Sequence, residues 1–166
     1  MKVLIAVADK VFGDALVGFV RNHKWPEHTA FRILHVVEHG PGDATKATFD
    51  KGFQEDCAES RHLVDHMSAS LHREFPDVKI DAIVVIGSAT KIIMDSAAEW
   101  QADMIVMGSH GRKGLDRLLL GSVAEYVTAH APCSVSIIRP EYPDELPVEL
   151  SSEDLPDQVR ELAAFE

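Results

Sequence analysis

Cysteine is scarce in this chain of 166 residues, which contains Cys57 and Cys133. The two are far apart and match neither a CxxC pair nor the spacing of a zinc site, so they argue against a disulfide framework and favour a reducing compartment. We expect both side chains to be small apolar residues, buried or half-buried.

Long hydrophobic runs are also absent. The first apolar run, residues 3–8, meets Asp9 well before the length of a signal-peptide core or of a membrane-spanning helix. Hydrophobic residues make up 46% of the chain, charged residues 26% and aromatic residues 7%, which is typical of soluble globular proteins. We therefore expect a cytoplasmic protein with no membrane partner.

Basic charge is in short supply, because 16 Lys and Arg residues face 27 Asp and Glu residues for a net charge of -11. This balance argues against nucleic acid as a partner. The acid is concentrated in residues 141–166, which carry nine acidic residues and one basic residue, Arg160. We assign residues 1–140 to one domain, near neutral and able to hold an anion, and residues 141–166 to an acidic C-terminal extension.

The acidic extension contains one short helical pattern. Leu155, Val159 and Leu162 form a narrow apolar stripe behind a Ser151-Ser152 cap,. A helix this short is marginal alone in water. Docking on the domain, docking on a second subunit, and disorder all remain open for it.

Strands alternate with helices through the domain. Apolar runs predict strands at 3–8, 31–37, 78–86, 103–107 and 134–138, with a turn at 9–13 after the first strand,. Helical spacing predicts the helices between them, the second over 51–75, the third behind an N-cap at Ser88 and the last over 122–130,. Such alternation predicts a single doubly wound, Rossmann-like sheet of five parallel strands with helices on both faces. The order 3-2-1-4-5, which periodicity alone does not establish, would place a ligand crevice between strands one and four.

Residues 107–123 pass from a strand through a glycine-dense basic loop into a helix. Gly108, Gly111 and Gly121 allow the backbone to approach an anion, and the helix that Ser122 opens adds unpaired N–H groups,. The alternative for these residues is ordinary structure, with the glycines serving turns and packing and Ser122 serving as an N-cap. The GxxxxGK[ST] pattern of a P-loop and the GxGxxG pattern of a dinucleotide site are both absent.

The motif Gly108-x2-Gly111-x9-Gly121-Ser122 resembles that of the universal stress protein family, specifically its ATP-binding branch. The resemblance runs from residue 2 to about residue 139 and includes Leu34-His35-Val36 and Ile86-Gly87. It implies that backbone groups at Val36 bind adenine. It also implies that ribose and phosphates contact the glycine loop and the following helix, through Met107, Gly108, His110, Gly111, Gly121, Ser122 and Val123, with Arg112 as a further basic candidate.

The chain departs from the family at the end of the first strand. An Asp that contacts the nucleoside is usual there, whereas this chain has Ala8, followed by Asp9. Loss of one charge-assisted hydrogen bond weakens a complex by about 1.5–3 kcal/mol. Asp9 is the candidate to compensate, either directly or through Mg²⁺.

Histidines offer two further candidate sites. His110 could act as an acid or base, but no nucleophile or paired carboxylate lies beside it in the sequence, which favours a phosphate or water contact. His62 and His66 lie one helical turn apart after Glu59, as in a metal pair,. Without an evident third ligand, we expect a solvated helix face there and no metal site.

The resemblance implies a regulatory, largely non-catalytic protein that binds ATP, or AMP or ADP, in a stress response. The resemblance also implies a homodimer in which the fifth strand, with an open edge, pairs across the two-fold axis. Two alternatives remain open: a slow ATP hydrolase or phosphotransferase that uses the same loop, and an interaction module whose nucleotide site has decayed at Ala8.

Overall fold

The computed structural model of the chain describes residues 1–38, 51–109 and 120–139. Strands and helices alternate along it as the sequence predicts. In chain order the elements are β1 (Lys2–Val7), α1 (Lys10–Asn22), β2 (Ala30–Val37), α2 (Lys51–Glu74), β3 (Ile80–Ile86), α3 (Ala89–Trp100), β4 (Met104–Gly108), α4 (Ser122–His130) and β5 (Ser134–Ile138).

The five strands form one parallel sheet in the order β3-β2-β1-β4-β5, which confirms the predicted fold class and order. β1 is the central strand, and its last paired residues are Val7 opposite His35 of β2 and Ala6 opposite Met107 of β4. The limits of α4 and β5 are those predicted. The predicted start of β3 at residue 78 is wrong, because the strand begins at Ile80.

Two apolar layers cover the sheet, one on each face. Odd-numbered residues of β1 pack with α1 and α2, while Leu4 and Ala6 pack with α3 and α4, as the period of two along a strand requires. Cys133 packs at the second layer, and both cysteines are free and half-buried, as expected. The central strand β1 is therefore buried on both faces, which fixes its carboxyl end at the edge of the sheet.

The first helix begins earlier than the sequence pattern indicates. Residues 9–13 were expected to form a turn, but α1 begins at Lys10 because the Asp9 carboxylate accepts a hydrogen bond from the Phe12 N–H at 3.0 Å. Gly13 lies inside the helix, where a Cβ atom would come within 3.1 Å of Leu63 Cδ1. Gly13 thus permits close packing of α1 on α2 and does not form a turn.

Several predictions fall outside the described residues. These are the roles of His110, Gly111 and Arg112 and the helix of the 141–166 extension. Among the helices that are described, none has both the length and the apolar character needed to cross a membrane.

Candidate functional site

A cleft of about 980 Å³ opens at the carboxyl ends of the strands. In a doubly wound sheet this edge is where ligands bind, beside the point where the strand order reverses. The cleft brings together every predicted site residue within the described ranges. They are Ala8, Asp9, Val36, Met107, Gly108, Gly121, Ser122 and Val123.

Three helices begin at this cleft, and two of them start with a carboxylate that accepts a backbone N–H. Asp9 caps α1, and Glu38 Oε1 accepts the Ala89 N–H at the start of α3 at 3.2 Å. Gly121 occupies the N-cap position of α4 and provides no side-chain cap. Of the three, α4 is therefore the helix whose positive end remains available to an anion.

The predicted caps of α3 and α4 need correction. Ser88 takes the N-cap position of α3, but its side chain makes no capping hydrogen bond, because Glu38 fills that place from the end of β2. Ser122 is the first residue inside α4 and not its N-cap. The Ser122 hydroxyl is consequently free of the capping role that was its alternative interpretation.

The register of the sheet exposes the backbone of Val36 at the cleft. The Ala30 N–H donates to the Met1 carbonyl, and the Val37 carbonyl accepts from the Gly87 N–H, so even-numbered residues of β2 turn their backbone groups toward β1. The paired part of β1 ends at Val7, opposite His35. The Val36 N–H thus pairs with the Val7 carbonyl, and the Val36 carbonyl is the backbone group that faces the space beyond the paired part of β1.

Gly108 is required by packing whether or not a ligand is present. A Cβ atom built on it would lie 2.0 Å from Cδ1 and 2.6 Å from Cε1 of the Phe12 ring. No side chain fits at such distances without displacing buried Phe12. The packing interpretation of this glycine is therefore correct, and it is compatible with a phosphate contact on the open side of the same residue.

His35 links the two strands at the floor of the cleft. Its ring Nδ1 lies 3.0 Å from the Val7 carbonyl oxygen, to which a protonated nitrogen donates. Burial lowers the pKa of His35, against opposing effects of this hydrogen bond and of the Asp9 carboxylate. The neutral ring therefore supports the end of β1, directly before Ala8 and Asp9.

The cleft has a polar wall that sequence reasoning missed. Exposed His62 and His66 lie on a solvated face of α2, as predicted, but this face borders the cleft together with Asp56 and Glu59. The spacing of these residues along one helix face was the available signal. Within the three described ranges, no group of three His, Cys, Asp or Glu side chains could hold a metal ion.

Ala8 and Asp9 occupy the end of the site nearest β1. Both are exposed and line the cleft, and Ala8 provides only a methyl group where the resemblance led us to expect a carboxylate. One Asp9 oxygen already accepts the Phe12 N–H. A single carboxylate with one committed oxygen fits Mg²⁺ only where substrate phosphates and water complete its ligands.

Comparison with known sequences identifies related proteins. The model of the universal stress protein family matches residues 1–139. Universal stress protein E of Salmonella typhi is 36% identical over 107 residues, which are 64% of this chain and 33% of that protein. Universal stress protein A homolog 2 of Coxiella burnetii is 44% identical over 57 residues, 34% of this chain and 38% of that protein. Matches to the first curated relatives span 33% to 57% of their lengths.

Solved structures share the fold at low sequence identity. Universal stress protein UspA from Lactobacillus plantarum has a TM-score of 0.65 and 23% identity, over 84% of this chain and 97% of that one. The universal stress protein from Archaeoglobus fulgidus in complex with dAMP has a TM-score of 0.61 and 20% identity, over 83% and 97% of the two chains. A universal stress protein family protein from Arabidopsis thaliana with AMP bound has a TM-score of 0.60 and 20% identity, over 90% and 97%. By its sequence match over residues 1–139, this chain belongs to the universal stress protein family.

Proposed function

We propose that this protein binds ATP, or AMP or ADP, in the cleft at the carboxyl ends of its strands and acts as a cytoplasmic regulatory protein. One observation supports the proposal most directly: the predicted residues within the described ranges line one cleft, and α4, which has no side-chain cap, begins at that cleft. Two proteins of the same fold carry AMP or dAMP, which supports an adenine nucleotide as the ligand.

The two ends of the cleft suit the two ends of a nucleotide. Leu34, Ile93 and Met107 are buried apolar residues on its walls, and they would contact a base whose polar edge meets the Val36 backbone. Gly121 and Ser122 would offer N–H groups to the phosphates at the positive end of α4. Asp9 would be the protein ligand of a Mg²⁺ ion carried by those phosphates.

Substitution of Gly121 provides the test, because it separates binding from folding. In Gly121→Asp the new carboxylate occupies the N-cap of α4, where Asp stabilises a helix by a few tenths of a kcal/mol relative to Gly, while it repels a phosphate from the same place. We expect loss of ATP binding by calorimetry, with a melting temperature equal to or above that of the wild type. Gly121→Ser, an uncharged cap, should retain binding.

Two results would contradict the proposal. One is wild-type protein that binds none of ATP, ADP and AMP; the other is Gly121→Asp protein with unchanged affinity. Turnover of labelled ATP well above that of Gly121→Asp would establish hydrolysis and replace the non-catalytic role. Native mass spectrometry of the purified protein identifies which nucleotide it retains.

A homodimer through β5 completes the proposal. β5 is one edge of the sheet and pairs only with β4 among the described strands. An open edge of this kind can pair with a second copy.

A further inference from the structure

We propose that Glu38 determines which base the cleft accepts, by selecting purines with an exocyclic amino group at position 6. The proposal rests on the proposed nucleotide function and names a residue to which the sequence assigned no role. Glu38 follows the last residue of β2 and lines the cleft together with Val36. Its selectivity follows from what its carboxylate touches and what it leaves open.

The position of the carboxylate is fixed from one side. Glu38 Oε1 accepts the Ala89 N–H of α3 at 3.2 Å, and Ala89 also lines the cleft. Within residues 1–38, 51–109 and 120–139, Ala89 provides the one hydrogen bond to this carboxylate. The second oxygen is therefore an acceptor held at the cleft wall without a donor from the described part of the chain.

Val36 lies on the same side of β2, since residues two apart in an extended chain point to the same face. It turns its own backbone carbonyl toward the space beyond β1. A base bound there meets two acceptors, the Val36 carbonyl and the second Glu38 oxygen. An amino group with two hydrogens can satisfy both, whereas a carbonyl oxygen at the same position is repelled by both.

Glu38→Gln should shift the selectivity of the cleft from a 6-amino purine toward a 6-oxo purine. The Ala89 N–H requires an oxygen, so the glutamine amide places its carbonyl on Ala89 and its NH2 group toward the cleft. The helix cap is retained while an acceptor becomes a donor. ATP should lose affinity, and inosine triphosphate, which has a carbonyl oxygen at position 6 and a hydrogen on N1, should gain it.

The experiment measures ATP and inosine triphosphate by calorimetry on the full chain. We expect wild-type protein to bind ATP more tightly than inosine triphosphate. Glu38→Gln should lower the ratio of the two affinities by about tenfold or more, because one hydrogen bond to a charged group is exchanged. Glu99→Gln is the control. It makes the same change of one carboxylate to an amide at an exposed residue of α3 that does not line the cleft.

The outcomes separate this proposal from the proposed function. Wild-type protein that binds neither nucleotide overturns both. Wild-type protein that binds ATP, with a Glu38→Gln ratio within twofold of Glu99→Gln, overturns the role of Glu38 alone. Equal weakening of both nucleotides in Glu38→Gln also overturns it, because it would show that Glu38 does not discriminate between the two bases. Melting temperatures confirm that each variant is folded.

Discussion

Gly108 shows how one residue connects the core to the ligand edge. Its missing side chain allows the Phe12 ring to lie against the end of β4, and Phe12 is itself a residue of α1 that is buried in the apolar layer between this helix and the sheet. Close-packed interiors do not absorb an extra methyl group at such a contact without moving a side chain or the backbone. The last residue of β4 is thus constrained by α1 as much as by any ligand.

Gly108→Ala should therefore destabilise the protein, by about 1–3 kcal/mol from overpacking. Gly18→Ala is the matched control, because a Cβ atom at Gly18 in α1 meets nothing within 4 Å and alanine favours a helix by up to about 1 kcal/mol over glycine. Urea denaturation measures both. If Gly108→Ala is as stable as Gly18→Ala, the close contact between residue 108 and the Phe12 ring is refuted. In the double variant Gly108→Ala/Phe12→Leu, the smaller side chain should restore part of the lost stability.

His35 predicts a pH dependence of stability. Burial holds its pKa below the ordinary value of 6.5, so the folded state binds fewer protons than the unfolded state once the pH falls below that value. The free energy of unfolding is therefore greatest above about pH 6.5 and decreases as the pH falls toward the lowered pKa. In His35→Asn, an amide can still donate to the Val7 carbonyl but does not titrate.

Unfolding free energies between about pH 7.5 and pH 5.5 test this prediction. The decrease toward acid should be smaller in His35→Asn than in the wild type. His72→Asn, at an exposed histidine in the last turn of α2, should leave the decrease unchanged. An identical pH dependence in His35→Asn and wild type would show that His35 is not responsible.

At the scale of elements, helix starts were the least predictable feature because their caps are not always local. The sequence places Ser88 one residue before α3, yet the cap comes from Glu38, 51 residues away in the chain. Strand β2 brings Glu38 to α3, and no pattern within the helix contains that information. Helix α4 and strand β5 were predicted with their observed limits because a glycine or proline bounds each one locally,.

The wall of the cleft formed by α2 illustrates a second limit. Helical periodicity correctly placed His62 and His66 on an exposed face, away from buried Val64 and Met67. Periodicity gives the direction of a face relative to the core, but not what lies above it. That depends on where the helix crosses the sheet edge, which is a property of the assembled layers.

For the whole molecule, alternation of strands and helices was sufficient to predict a parallel sheet with helices on both faces. The strand order depends on how the crossover connections run, which periodicity does not show, and it is seen in the structure. This order leaves β3 and β5 as the two edges. Odd-numbered residues of β5 and even-numbered residues of β3 turn their backbone groups outward, so the two edges can be tested separately.

On β5 the Ile138 carbonyl accepts the Ser109 N–H, so even-numbered residues face β4 and Val135 and Ile137 face outward. On β3, Gly87 donates to the Val37 carbonyl of β2, so Val84 faces outward at the opposite edge. Proline at an outward residue removes one exposed N–H without breaking the ladder on the inner side. The same change can thus be made at either edge.

If β5 pairs with its copy across a two-fold axis, Ile137→Pro should convert a dimer into a monomer while Val84→Pro leaves the dimer intact. Light scattering should give the wild type and Val84→Pro twice the chain mass of 18.3 kDa, and Ile137→Pro the mass of one chain. Circular dichroism checks that both variants keep the sheet. A monomeric wild type rules out the dimer. If the dimer is lost only in Val84→Pro, the interface lies at β3 and not at β5, because the two edges offer the same backbone chemistry on opposite sides of the sheet.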